Sequence, residues 1–167
     1  MKASRIALLL AAAAVFELFV GGSPHRSLLP VDWFLLATAA VARSGDFVRA
    51  VLTGAMAGFV EDGISQRILG MNAFAKAIIG YALTLVSVRV VFGGALAVGA
   101  ALAAASLANE AIVALLSSLL LQAPVVIVSK DALWRAAATG ITGGALEAAW
   151  DFPWRDWWKR RRLRRLR

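Results

Sequence analysis

The chain has no cysteine, one histidine and one tyrosine among its 167 residues, and only 17% of them are charged. Without cysteine there can be no disulfide, no thiol chemistry and no thiolate metal site. The lone His25, beside Arg26 and just after Gly21-Gly22-Ser23-Pro24, reads as a loop residue and not as a metal ligand, so no metal or other cofactor is expected. Ten-residue stretches of alternating polarity are missing too, which excludes an outer-membrane barrel. Charge is absent from Ile6–Phe16 and Val90–Ala108, and one aspartate interrupts Pro30–Ala42.

What is there is apolar. The chain is 60% hydrophobic, and its mean hydropathy of +0.75 lies above that of water-soluble domains. A helix of ~20 apolar residues crosses a ~30 Å hydrocarbon core, and in lipid such runs must be helices because every backbone polar group needs an internal partner. The expected fold class is an all-α integral membrane protein, a six-transmembrane-helix bundle over residues 1–152, followed by a basic, Trp-rich tail over 153–167. Spans are expected near Ile6–Gly21, Ser27–Ala42, Phe47–Ile64, Met71–Phe92, Gly94–Leu121 and Ala132–Trp150. Pro30 fits the first turn of the second span, and Trp33 is expected near the membrane interface. Residues 124–129 are too few to cross and read as an extended or interfacial connector. Lys2 and Arg5 before an apolar core also fit a secretory signal peptide, whereas Glu17 and the many later spans favour a retained first helix.

Eight of the eighteen basic residues lie in the last thirteen positions. With six spans and both termini cytoplasmic, the inner side holds this tail with Lys2, Arg5, Arg43, Arg49 and Arg89. The outer side holds Arg26, Arg67, Lys76, Lys130 and Arg135, the bias of the positive-inside rule. The tail alone sets that orientation, and five spans remain the alternative count. Trp150, Trp154, Trp157 and Trp158 recur at helical spacing, and Pro153 can start a new helix. Trp154, Trp157, Trp158, Lys159, Arg160, Arg161, Arg162, Arg164 and Arg165 are therefore expected to anchor an interfacial helix on anionic lipid, at roughly 1 kcal/mol per basic residue near the surface. Nucleic acid and an acidic protein are the other partners such a tail suggests; lipid is the simpler assignment, and no nucleic acid is expected.

Gly54-Ala-Met-Ala-Gly58 and Gly140-Ile-Thr-Gly-Gly144 are GxxxG patterns, which let a second helix approach closely. Each is read as a partner-binding or helix-packing face. Between two spans lies GFVEDGISQRILGMNAFAKAIIGY, residues 58–81. Its Glu61-Asp62 pair, Gly70, Asn72 and Lys76 read as a polar structural hairpin. Asp62 is expected to pair with Lys76 or with the hairpin backbone, since pairing lowers the cost of charge near the membrane core. A catalytic carboxylate pair would need a nucleophile, a metal ligand or a second acid at fixed helical spacing, and none is near. Asn109-Glu110 falls within or just beyond an apolar span, as a functional site or as a polar clasp inside the bundle.

Pro30-Val-Asp-Trp-Phe-Leu-Leu36, an Arg-containing loop, Gly54…Gly58…Asp62, Gly70-Met-Asn-Ala73 and Gly80-Tyr81 follow one another in an order that resembles MreD, the small membrane protein of the bacterial rod-shape system. The match is best over residues 30–81. This chain departs from the family's pattern at Glu61, where an apolar residue is usual, and at Gly63-Ile64. The resemblance implies a fold similar to the substrate-binding membrane subunits of energy-coupling-factor vitamin transporters, with Gly54, Gly58, Asp62, Gly70, Asn72, Gly80 and Tyr81 in the shared hairpin. It implies a non-enzymatic scaffold in the bacterial inner membrane, multi-pass, supporting cell shape and peptidoglycan synthesis. The implied partners are an MreC-like bitopic membrane protein, the wall polymerase RodA with its partner transpeptidase, and MreB indirectly. The alternative is a small-solute-binding membrane subunit of a transporter, with Glu17, Glu61, Asp62 and Glu110 as ligand contacts. An intramembrane enzyme ranks last.

Overall fold

The computed structural model describes residues 3–21, 30–65, 68–89, 94–121 and 129–151, and all regular structure among them is helical. Six helices follow in order: α1 (Ala3–Gly21), α2 (Trp33–Ala42), α3 (Phe47–Ser65), α4 (Met71–Arg89), α5 (Ala95–Leu121) and α6 (Lys130–Asp151). The expected lipid anchors from Trp154 to Arg165, with His25, Arg26, Arg67 and most of the 124–129 connector, lie outside the described residues.

Helix starts follow from their caps. Asp32 accepts the Leu35 N–H at 2.8 Å, Asp46 accepts the Arg49 N–H at 3.1 Å, and the Ser129 hydroxyl accepts the Ala132 N–H at 3.0 Å. Each carboxylate or hydroxyl satisfies a backbone donor that the first helical turn leaves unpaired. The Asp32 cap corrects the expected second span. The helix begins at Trp33 and not near Ser27, Pro30 precedes it as non-helical chain, and ten residues span only about 15 Å.

The helices alternate in direction. Gly54 faces Lys76, Gly58 faces Ala73 and Gly80 faces Ala50, so α3 and α4 are antiparallel; Gly99 faces Gly140 and Ala95 faces Gly144, so α5 and α6 are too. Met71 and Ala75 pack on Val113, and Ile79 on Ala105, which joins α4 to α5. Short α2 touches all five other helices and buries Phe34, Leu35, Ala37, Thr38, Val41 and Ala42. Its far end is tied to α6 by the Arg43–Glu147 ion pair.

The buried core is mostly apolar, with Phe34, Leu35 and Val41 fully enclosed, but it also takes in charged and polar side chains. Lys76, Asp62 and Asn109 are buried, while Leu96 is 92% exposed, Trp150 86% and Phe19 80%. Lysine is almost never buried completely unless it is paired, and Lys76 is paired with Asp32 and Glu61. Two of the helices, Met71–Arg89 and Ala95–Leu120, are long and apolar enough to cross a membrane.

Candidate functional site

Five charged residues of the bundle meet in one place. Lys76, on α4, reaches across to the start of α2, where its Nζ lies 2.6 Å from Asp32 Oδ2. The same ammonium lies 2.9 Å from Glu61 Oε2 on α3. That second contact is an ion pair that uses Glu61 Oε2. Arg135 of α6 extends the chain of contacts, 4.0 Å from Glu61 Oε1 and 3.1 Å from Glu110 Oε1 on α5. Asp32 is further fixed by its own N–H, which donates to Thr139 Oγ1 at 3.0 Å. Five helices thus contribute to one network, with Lys76 fully buried at its centre and Arg135 and Glu110 partly exposed at its edge.

Asp62 does not join that network. Its Oδ2 accepts the Gly70 N–H at 2.8 Å, and its Oδ1 accepts the Asn72 Nδ2 at 2.8 Å and the Asn72 N–H at 3.3 Å. Of the two partners expected for Asp62, the hairpin backbone is the one it meets, and Lys76 turns to Asp32 and Glu61 instead. The reason is helical geometry: neighbours on a helix point about 100° apart, so Glu61 and Asp62 cannot face the same group. Gly70 closes the turn at φ +101°, a conformation that side-chain-bearing residues rarely adopt.

Gly54 and Gly58 lie directly against α4, where a Cβ would overlap the Lys76 carbonyl and the Asn72–Ala73 backbone. Gly140 and Gly144 lie against Gly99, Ala103 and Ala95 of α5. Of the two readings of these GxxxG faces, partner binding or helix packing, the contacts seen are those of helix packing. The faces are filled from within the chain, because glycine lets two backbones come closer than any side chain would allow. Gly80 has the same role against Ala50 and Thr38. Tyr81 is half exposed and packs on Phe47 at 5.2 Å between ring centroids, away from the charges. Trp33, expected near an interface, stacks on Phe16 of α1 at 4.8 Å.

Two central residues, Asp32 and Arg135, were absent from the sequence-based site. Asp32 had a signal: a single acid interrupting Pro30–Ala42, which in a membrane span marks a functional or structural site by default. Arg135 had none, since a basic residue in the second turn of a helix is compatible with a solvated end. Among the described residues, no three His, Cys, Asp or Glu side chains converge to hold a metal ion. What the arrangement can do is hold helices together through charge. Scanned against protein-family models, curated proteins and solved structures, the chain matches none of them.

Proposed function

We propose that the protein is a non-enzymatic membrane scaffold of the bacterial rod-shape system, six helices lying in the inner membrane with both termini cytoplasmic. The observation that carries the reading is the α3–α4 hairpin. Gly54, Gly58, Asp62, Gly70 and Asn72, part of the ordered set that resembles MreD, act there as one joint of close backbone contact and charge-assisted hydrogen bonds. The exposed Leu, Phe and Val side chains, together with paired charges inside the bundle, support lipid as the surrounding solvent: apolar exposure costs nothing there, whereas charge must be paired inside. In this placement the Lys76 network lies five residues, about 8 Å, inside the Met71 end of α4. The non-helical chain before α2 is buried by protein at Val31 and Asp32, the condition under which irregular backbone is tolerated at membrane depth. A fold similar to vitamin-transporter binding subunits belongs to the same proposal.

The proposed partners are an MreC-like bitopic protein, RodA with its transpeptidase, and MreB indirectly, with anionic lipid at the tail. Since both glycine faces are filled internally, an MreC-like helix would meet the chain on another face. The test is affinity purification of the tagged protein from its native membranes in mild detergent, with co-purifying proteins identified by mass spectrometry. Recovery of an MreC-like protein and wall synthases is the expected result. Recovery of an ATPase pair with a coupling membrane subunit would overturn it in favour of a solute-binding transporter subunit. The buried Ser106 Oγ and Asn109 Oδ1, which have no hydrogen-bond partner, favour that second reading.

A further inference from the structure

Two hairpins of the bundle are each closed backbone against backbone. α3 and α4 meet in this way at Gly54, Gly58 and Gly80, and α5 and α6 at Gly99, Gly140 and Gly144. Between the hairpins the contact is made by side chains, with Leu35 and Ile79 on Ala105 and with Met71 and Ala75 on Val113. In a membrane such apolar contacts carry no hydrophobic drive, because lipid tails can take the place of either side. Close backbone packing has no such substitute. The α5–α6 hairpin therefore holds together more firmly than it holds to α1–α4.

The charged groups divide along the same seam. Lys76 has both of its short contacts, 2.6 Å to Asp32 and 2.9 Å to Glu61, inside the α1–α4 body. Arg135 has its short contact, 3.1 Å to Glu110, inside the α5–α6 hairpin. The contact of Arg135 with Glu61 crosses the seam and is longer, at 4.0 Å. Glu17 of α1 also attracts Arg135 across it, and the Asp32 N–H donates across it to Thr139 Oγ1 at 3.0 Å. Separating the two bodies thus leaves each buried cation with its nearest acid.

The covalent link between the bodies lies at the opposite end. The chain passes from α4 to α5 between Arg89 and Ala95. Ala95 faces Gly144, and Ser87 donates to the Ala42 carbonyl, so the Arg43–Glu147 pair stands at this end too. Gly94, at the junction, has a φ of +122° and open space where a side chain would be, so no packing opposes a change in its backbone angles. Rigid-body closure is commonly absorbed by a few such residues at the end of an element.

We propose that the α5–α6 hairpin is a flap that turns as one body about the Arg89–Ala95 junction, latched at the far end by Asp32–Thr139 and Glu61–Arg135. Opening uncovers the faces of α4 and α5 at Ile79 and Ala105, which the closed bundle keeps from the membrane. The flap does not depend on the scaffold reading, and its test involves no partner.

The experiment is double electron–electron resonance on the full-length protein in lipid nanodiscs. The chain has no cysteine, so introduced cysteine pairs carry nitroxide labels without background. Phe59→Cys with Leu133→Cys spans the seam at the latch end, Phe59→Cys with Val88→Cys stays in one body, and Leu96→Cys with Leu133→Cys stays in the other; all four positions are exposed. The seam pair should give two distances or a broadened distribution, and the other pairs a single narrow one. Thr139→Val removes the acceptor of the Asp32 N–H and touches no ion pair. It should raise the ratio of long to short seam distances about 2–10-fold, the equivalent of one lost hydrogen bond. If Thr139→Val does not fold, Arg135→Gln, at the partly exposed edge, should move the ratio the same way. A seam distribution as narrow as the other two, in the wild type and in the variant that folds, overturns the proposal. Equal broadening of all three pairs overturns it as well.

Discussion

Lys76 and Asp32, forty-four residues apart, meet at 2.6 Å with neither side chain more than 3% exposed. The pair fixes the start of α2 to the second turn of α4, and Glu61 makes it a triad. Removing one member of a buried ion pair strands the other, at a cost of about 3–5 kcal/mol. Lys76→Met is expected to lose that much in unfolding in mixed detergent micelles. Adding Asp32→Asn to it should recover part of the loss, because the stranded charge is gone while an oxygen remains to cap Leu35. Equal damage by the single and double variants would show that the pair is not the source.

The Asp62 carboxylate is predicted to govern the α3–α4 turn. In Asp62→Ala, the Gly70 and Asn72 amides lose an ionised acceptor, worth roughly 1.5–3 kcal/mol. Their hydrogen exchange should accelerate about 10–100-fold, while amides at the far end of α4 change little. Acceleration spread evenly along α4 would point to global loosening instead.

Close approach, and not partner binding, is predicted to make Gly58 sensitive. Gly58→Ala places a methyl group into the Asn72–Ala73 backbone and should destabilise the isolated protein by about 1–3 kcal/mol. Gly63→Ala, which meets nothing within 4 Å, should be neutral or gain up to about 1 kcal/mol from helix propensity. Comparing the two unfolding temperatures in detergent, with no partner present, checks the contrast.

At the other end of α2, Arg43 donates through Nη2 to Glu147 Oε1 at 2.8 Å, but Arg43 is half exposed. Solvent screening limits such a pair to about 1 kcal/mol or less. Glu147→Gln should therefore lower stability much less than Lys76→Met. A loss as large as that of Lys76→Met would mean that the Arg43 end is as shut away from water as the Lys76 end.

Five of the six helices could be bounded from the sequence to within three residues, because apolar runs closed by Gly, Pro or charge leave few choices. The second could not. Pro30 and Val31 look like helix, yet Asp32 serves as the cap and starts the helix at Trp33. Glu61 and Asp62 were legible as a polar pair but not as two separate devices. Adjacent positions in a sequence say nothing about which distant group each side chain faces.

The sequence by itself determined that the chain is helical and that its few charges had to find partners, because apolar runs without turn residues or alternation admit no other regular structure. It also marked Gly54, Gly58, Gly140 and Gly144 as sites of close approach. Only the tertiary structure decided what approaches them, and which charges compensate which. Ion pairing depends on the rotation and register of α2, α4 and α6 relative to one another. That register is set by the sum of many small packing contacts and is not encoded at Asp32, Lys76 or Arg135 alone.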